Sequence, residues 1–95
     1  MTAYVVLDIA VSDADQFARY RELAPSAIAA YGGKYLARGG ATEVLEGSQA
    51  PNRIVILEFA TIERAKRWLD SPEYRVARAI RHAAATTNAF VVQGL

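Results

Sequence analysis

The stretch Arg53-Ile-Val-Ile-Leu-Glu-Phe59 decides the fold. It is rich in β-branched and aromatic residues, which predicts a strand. The polar, turn-forming residues 46–52 before it predict a loop, and Thr61 after it is a suitable N-cap for a helix. We therefore expect a strand followed directly by a helix.

Toward the N-terminus the pattern predicts a strand, a helix and a second strand. Residues 3–10 form the first strand, and Ser12 caps a helix with an apolar stripe that ends at Gly32-Gly33. Pro25 lacks an N–H group, so we expect it to kink or split this helix. Residues 34–38 form the next strand, which could continue over residues 41–46 past a glycine bulge.

Toward the C-terminus the pattern predicts two helical segments and a last strand. After the helix that begins at Thr61, Ser71-Pro72 restarts a helix with a serine cap and a proline at its first position. This helix runs to about residues 82–85, and residues 86–93 form the last strand.

The predicted order β-α-β-β-α-β is typical of the ferredoxin-like α+β fold. It consists of a four-stranded antiparallel sheet with the helices on one face. Ninety-five residues without an internal linker form a single domain, residues 1–95.

Both faces of the sheet carry apolar residues, although the helices can cover only one. Val55, Leu57 and Phe59 share one face of their strand, and Ile54 and Ile56 share the other. Large apolar patches usually mark interfaces, so we expect a two-fold homodimer with its sheets packed face to face. The alternative is a monomer with a partly exposed apolar face.

Composition excludes several classes of site. The chain has no cysteine and one histidine, which excludes disulfides, thiolate chemistry and a multi-histidine metal site. A net charge of +1 does not suggest nucleic-acid binding. No membrane segment or leader is recognisable, so we expect a cytoplasmic protein without a metal or organic cofactor.

Arg38 and Glu58 are the first candidates for chemistry. Arg38 precedes two glycines that allow close approach, and its guanidinium suits a carboxylate or an enolate. Glu58 and Asp8 each interrupt an apolar strand face, where a carboxylate either transfers protons or forms an ion pair. The structural alternative pairs Arg38 with Glu58 or with a glutamate of the following loop.

Aromatic and basic side chains on the helices, together with Asn88 at the start of the last strand, are the remaining candidates. Aromatic residues at helical spacing are usually core, although their polar tips can orient a planar ligand. His82 has the ordinary pKa best suited to a general base, and an arginine near it could attract an anion. The candidate catalytic residues are thus Arg38, Glu58, Tyr74 and His82. The candidate ligand-binding residues are Tyr20, Arg38, Trp68, Tyr74, Arg78 and Asn88.

Several motifs together resemble the domain-of-unknown-function family numbered 1330, in the dimeric α+β-barrel superfamily. The motifs are Tyr4-Val-Val-Leu-Asp8, Tyr31-Gly-Gly-Lys-Tyr-Leu-Ala-Arg-Gly-Gly40, Ile56-Leu-Glu-Phe59, Ser71-Pro-Glu-Tyr74 and Val91-Val-Gln-Gly94. The resemblance implies a dimeric barrel with a ligand between the sheet and the helices of each subunit. It assigns no reaction, because the superfamily includes isomerases, cofactor-free monooxygenases and haem enzymes.

Two functions remain open. One is a cofactor-free enzyme, an isomerase or lactone-acting enzyme first and a monooxygenase second, acting on a small anionic or aromatic metabolite by proton transfer. The other is a non-catalytic dimer that binds a metabolite or another protein. A ligand-sized pocket that brings Arg38, Glu58 and Tyr74 together would favour the enzyme.

Overall fold

The computed structural model describes residues 1–95. The elements in chain order are β1 (Ala3–Val11), α1 (Ala14–Ala30), β2 (Lys34–Arg38), β3 (Arg53–Phe59), α2 (Ile62–Leu69), α3 (Pro72–Ala84) and β4 (Ala85–Gln93). The strands form one antiparallel sheet in the order β2-β3-β1-β4, with the helices against one face. This is the predicted ferredoxin-like arrangement.

The register of the sheet separates a helix-facing surface from an outer surface. Leu7 lies opposite Val55 on β3 and Ala89 on β4, and these residues face the helices. Val6 lies opposite Ile56 and Phe90 on the outer surface. The two-residue period of the strands thus produces two apolar faces, as the sequence predicts.

Helix α1 differs from the prediction at its start. Asp13, not Ser12, is the N-cap, and its carboxylate accepts a hydrogen bond from the Gln16 N–H at 3.1 Å. The Ser12 hydroxyl instead donates to the Ala84 carbonyl at 3.0 Å, which ties the start of α1 to the end of α3.

Of the two predicted effects of Pro25, a kink or a split, the split does not occur, because α1 continues from Ala14 to Ala30. A proline leaves the carbonyl four residues earlier without its helical donor. Here that carbonyl belongs to Arg21, and the Arg38 guanidinium donates to it at 3.2 Å. A side chain from β2 therefore supplies the hydrogen bond that the proline removes.

Strand β2 ends at Arg38. The continuation over residues 41–46 that the sequence left open does not occur. Gly39 has a φ of +69°, which turns the chain out of the sheet immediately after its N–H bonds the Ile54 carbonyl. The irregularity in the ladder lies between Tyr35 and Ala37, inside the strand and not at the glycines.

The caps predicted for α2 and α3 are confirmed. The Thr61 hydroxyl accepts from the Arg64 N–H at 3.0 Å, and the Ser71 hydroxyl accepts from the Tyr74 N–H at 3.2 Å. Ser71 is buried and also donates to the Trp68 carbonyl at 2.7 Å. The Ser71 side chain thus links the end of α2 to the first turn of α3, where Tyr74 lies.

The core fills the space between the helices and the sheet. Its largest fully buried side chains are Trp68, Tyr74, Phe59, Leu7, Ile9 and Leu57. The rings form a continuous series, because Trp68 packs on Tyr74 with centroids 4.4 Å apart and Tyr74 meets Tyr20 edge to face at 6.2 Å. No helix is both long enough and apolar enough to cross a membrane.

The outer face of the sheet has no covering layer within the chain. Phe90 on β4 is 61% exposed, Leu36 on β2 is 54% exposed and Val92 on β4 is 48% exposed. Val6, Ile54 and Ile56 are half-buried between them. The apolar outer surface that the sequence predicts is therefore present and open.

Candidate functional site

A cleft lies beneath α2 along the edge strand β4, and it extends from the helix-facing side of the sheet to Phe90, which belongs to the outer face. Its volume is about 240 Å³. The walls come from β1, α2 and β4, and all but one of the lining residues are apolar: Val5, Leu7, Ala65, Lys66, Trp68, Leu69, Ala89, Phe90 and Val91. The cleft is open because much of β4 beyond α2 is exposed.

Trp68 supplies the unusual feature of this cleft. The residue is only 1% exposed, and its indole Nε1–H is buried without a hydrogen-bond partner. An unpaired buried donor costs free energy, because it loses water and gains nothing in return. A ligand oxygen would provide the missing acceptor once a small shift of the indole opens the N–H to the cleft.

Behind Trp68 lies a buried polar cluster made of two tyrosines and an arginine. The hydroxyls of Tyr20 and Tyr74 are 2.6 Å apart, and the Arg81 Nε–H donates to Tyr74 at 3.4 Å. Burial, followed by the proximity of Tyr74, raises the pKa of Tyr20 far above its usual range. Tyr20 is therefore a neutral hydrogen-bonding group at physiological pH.

Arg38 lies at the opposite edge of the same sheet face, near Tyr20. The void beneath it, bounded by Phe17, Tyr20 and Tyr35, has a volume of about 10 Å³, roughly the space one water needs. Side chains thus fill the interior next to Arg38. The structure brings Arg38, Tyr20 and Tyr74 to one part of the molecule, but around a filled space.

Glu58 and Asn88 lie on the outer face of the sheet, away from Arg38 and Tyr74. Glu58 is opposite Tyr4 on β1, and Asn88 is opposite Asp8. The Asp8 carboxylate accepts from the Asn52 N–H at 3.1 Å. No pocket therefore joins Arg38, Glu58 and Tyr74, the combination that would favour the proton-transfer enzyme.

Arg78 and His82 lie in a third place, on the outer side of α3. Arg78 forms the one salt bridge of the chain, with Asp70 at 3.1 Å. Partial burial and the charges of Arg81 and Arg78 lower the pKa of His82. His82 and Arg78 line an open hollow of about 400 Å³. None of the other candidate catalytic residues lines this hollow.

Two site residues escape the sequence reasoning, namely Arg21 on α1 and Arg53 at the start of β3. Both line the same concavity as Arg38. Arg21 belongs to the otherwise apolar stripe of α1, which is the signal that could have identified it. Arg53 carries no such signal, because only the fold brings it next to the other two.

No group of three or more His, Cys, Asp or Glu side chains lies together as a possible metal site. The groups able to hold a ligand are instead the indole donor, the tyrosine hydroxyls and the guanidinium groups.

Comparisons with known proteins identify relatives by sequence and by fold. The family profile described as "Domain of unknown function (DUF1330)" matches residues 2–95. A search of the curated proteins finds no significant match.

Several solved structures share the fold at low sequence identity. The RPA0582 protein of unknown function from Rhodopseudomonas palustris is 18% identical with a TM-score of 0.77, over 99% of this chain and 82% of that one. SnoaB, a cofactor-independent oxygenase from Streptomyces nogalater, is 14% identical with a TM-score of 0.69, over 99% and 93%. A dimeric ferredoxin-like protein of unknown function from Thermobifida fusca is 15% identical with a TM-score of 0.58, over 97% and 90%.

Proposed function

The chain belongs to the DUF1330 family. We propose that it binds a small aromatic metabolite in the cleft between α2 and β4. The observation that carries this proposal is an apolar cleft lined by Trp68, a residue whose indole N–H is buried and has no hydrogen-bond partner. Ligand sites are typically concave and apolar, with a few polar groups that fix orientation.

The size of the cleft selects a small ligand. Its volume of about 240 Å³ lies just below the usual range for drug-sized ligands. A one- or two-ring aromatic compound fits this space. Such a ring would pack between Leu69 on the helix and Val91 on the strand and remove apolar surface from water.

The polar groups select an oxygen-bearing ligand. The Trp68 indole can donate to a carbonyl, phenol or phenolate oxygen, but it cannot accept a hydrogen bond. Lys66 is the only charged residue of the lining, and its ammonium favours an anionic substituent at the mouth. A phenolate or an aromatic carboxylate meets both conditions, and a quinone or a neutral phenol meets the first.

We also propose that the protein works as a homodimer. The outer sheet face exposes Phe90, Leu36 and Val92 around the half-buried Val6 and Ile56. Two such faces can cover each other in an isologous interface. The dimeric structure from Thermobifida fusca shares this fold, which supports the same arrangement here.

Binding is better supported than isomerisation. A proton-transfer enzyme needs an acid and a base that reach the same substrate. Glu58 on the outer face, His82 on α3 and Arg38 at the β2 edge are separated by the core or by the sheet. The cleft itself contains one titratable side chain, Lys66.

A second candidate is cofactor-independent oxygenation in the same cleft, and the Trp68 donor favours it. The indole could hold a phenolate oxygen in an apolar site while the ring reacts with dioxygen. With 1-naphthol as the probe, one O₂ gives 1,4-naphthoquinone and water. Oxygen uptake and quinone absorbance measure this activity directly, and SnoaB shows that the fold accommodates such an enzyme.

The proposed binding is tested by Trp68→Phe with two matched probes. Phenylalanine keeps an aromatic wall but removes the N–H donor. We expect the affinity for 1,4-naphthoquinone to fall about tenfold, the value of one neutral hydrogen bond. The affinity for naphthalene, which has no acceptor, should change much less. Isothermal titration calorimetry measures both.

Ala89→Leu on the exposed edge strand is the control for location, because a larger side chain there fills the cleft without touching the core. It should abolish binding of both probes. Quinone binding that survives Ala89→Leu, or that is equally strong in Trp68→Phe, would contradict the proposal.

A further inference from the structure

Three arginines meet at the edge of the sheet opposite the α2 cleft. Arg21 on α1, Arg38 on β2 and Arg53 on β3 line an open concavity of about 370 Å³, together with Ala18 and Glu22. The concavity lies over the mouth of the small void beside Phe17 and Tyr35.

None of the three guanidinium groups is neutralised within the chain. The one salt bridge joins Arg78 to Asp70 on another helix, and Glu22 forms no ion pair although it lines the same concavity. Arg53 additionally has a buried Nε–H without a hydrogen-bond partner. Burial, and then the charges of Arg21 and Arg38, lower the pKa of Arg53. Three like charges without a counter-charge within the chain favour the binding of an anion in this concavity.

The fold holds two of these side chains in place by contacts that leave donors free. Arg38 donates one hydrogen bond to the Arg21 carbonyl and lies over the Tyr35 ring, 4.5 Å from its centroid. Arg53 lies over the Phe17 ring, 5.5 Å from its centroid, and packs against Gly39. A side chain at Gly39 would collide with the Arg53 guanidinium. The absence of a side chain at this position therefore leaves room for the guanidinium group.

We propose that this arginine cluster, Arg21, Arg38 and Arg53, is a binding site for a small oxyanion with two negative charges. Planar guanidinium groups bind carboxylate and phosphate oxygens through paired N–H donors, and the void below is too small for more than a water. The anion therefore binds in the open concavity, in contact with the guanidinium groups. A dicarboxylate and a phosphate share this chemistry.

This site is separate from the cleft beneath α2. The concavity and the cleft have no lining residue in common, and the void under the arginines shares only the core residue Leu7 with the cleft. Failure of one proposal leaves the other standing, because Trp68 reports on the cleft and not on the arginine cluster.

The experiment is calorimetric titration of the full chain at low ionic strength with inorganic phosphate, succinate and acetate. We expect phosphate or succinate to bind with a dissociation constant on the order of 1 mM, and acetate to bind at least about tenfold more weakly, because a single charge pairs with fewer guanidinium groups. Affinity should fall as salt is added, since the site is open to solvent. The dianion that binds more tightly shows whether the site prefers a phosphate or a dicarboxylate.

Substitutions locate the binding. Arg21→Gln changes an exposed side chain that makes no hydrogen bond in the fold, and Arg53→Gln removes the guanidinium group of a half-buried residue. Each should weaken dianion binding about tenfold. Arg19→Gln, an exposed arginine of the same helix outside the concavity, is the matched control and should bind as the parent does.

Either of two results would overturn the proposal. One is that neither dianion binds more tightly than acetate. The other is that Arg19→Gln weakens binding as much as Arg21→Gln, since that would indicate attraction to general positive charge and not to this cluster.

Discussion

Replacing Tyr74 with alanine is expected to lower the free energy of unfolding by about 3–5 kcal/mol, the usual cost of deleting a buried aromatic ring. Tyr74 is fully buried, packs on Trp68 at 4.4 Å and shares a 2.6 Å hydrogen bond with Tyr20. The free energy of unfolding falls for two reasons, because the substitution leaves a cavity in the core and leaves the Tyr20 hydroxyl without its hydrogen-bond partner. Urea unfolding at a fixed protomer concentration measures it.

Tyr74→Phe separates these two contributions. It keeps the ring and removes only the hydroxyl that Tyr20 and Arg81 share, so we expect a loss of about 1–3 kcal/mol. The alanine variant must be the less stable of the two. Equal stability of the two variants would show that the ring contributes nothing, which contradicts the central place of Tyr74 in the core.

Replacing Ile56 with aspartate is expected to raise the dissociation constant of the proposed homodimer by a factor of 100 or more, which corresponds to about 2.7 kcal/mol. Ile56 lies in the middle of the outer sheet face, between Val6 on β1 and Ala37 on β2. A carboxylate there would be buried against the partner's apolar sheet without a counter-charge. Sedimentation velocity across a range of protein concentrations measures the change.

Val76→Asp is the matched control for this substitution. Val76 is also apolar and 60% exposed, but it lies on α3, away from the outer sheet face. The variant should remain a dimer at the concentrations at which Ile56→Asp is a monomer. A parent protein that is monomeric at micromolar concentration would contradict the proposed interface.

The strands and their faces could be predicted because a strand has a two-residue period. Once Arg53–Phe59 is recognised as a strand, the alternation places Leu57 and Ile56 on opposite faces, and the structure agrees. Because both faces are apolar, only the structure shows that Leu57 belongs to the core. The caps at Thr61 and Ser71 were equally predictable, since they depend on local hydrogen bonds.

The course of α1 through Pro25 could not be predicted from local sequence. The missing hydrogen bond is replaced by Arg38, which is 17 residues from Arg21 along the chain and on a different element. Only the docking of α1 on β2 brings the donor to the carbonyl. The same long-range packing decides that Asp13 caps the helix while Ser12 bonds α3.

The candidate sites were predictable only in part, because long-range packing decides which side chains lie together. Trp68 and Arg38 could be singled out as residues of unusual chemistry on apolar elements. That they line two different hollows, and that Arg53 joins Arg38, depends on which strands are neighbours at each edge of the sheet. The separation of Glu58 from Arg38 follows from the faces of their strands.

The most direct test of the proposed function is the ¹⁵N–¹H resonance of the indole of Trp68 during titration with 1,4-naphthoquinone. The chain contains one tryptophan, so this signal is assigned without ambiguity. We predict a saturable shift of the indole N–H, accompanied by shifts of the Ala89 and Val91 amides across the cleft. An indole signal that stays in place while the quinone binds elsewhere would contradict the account.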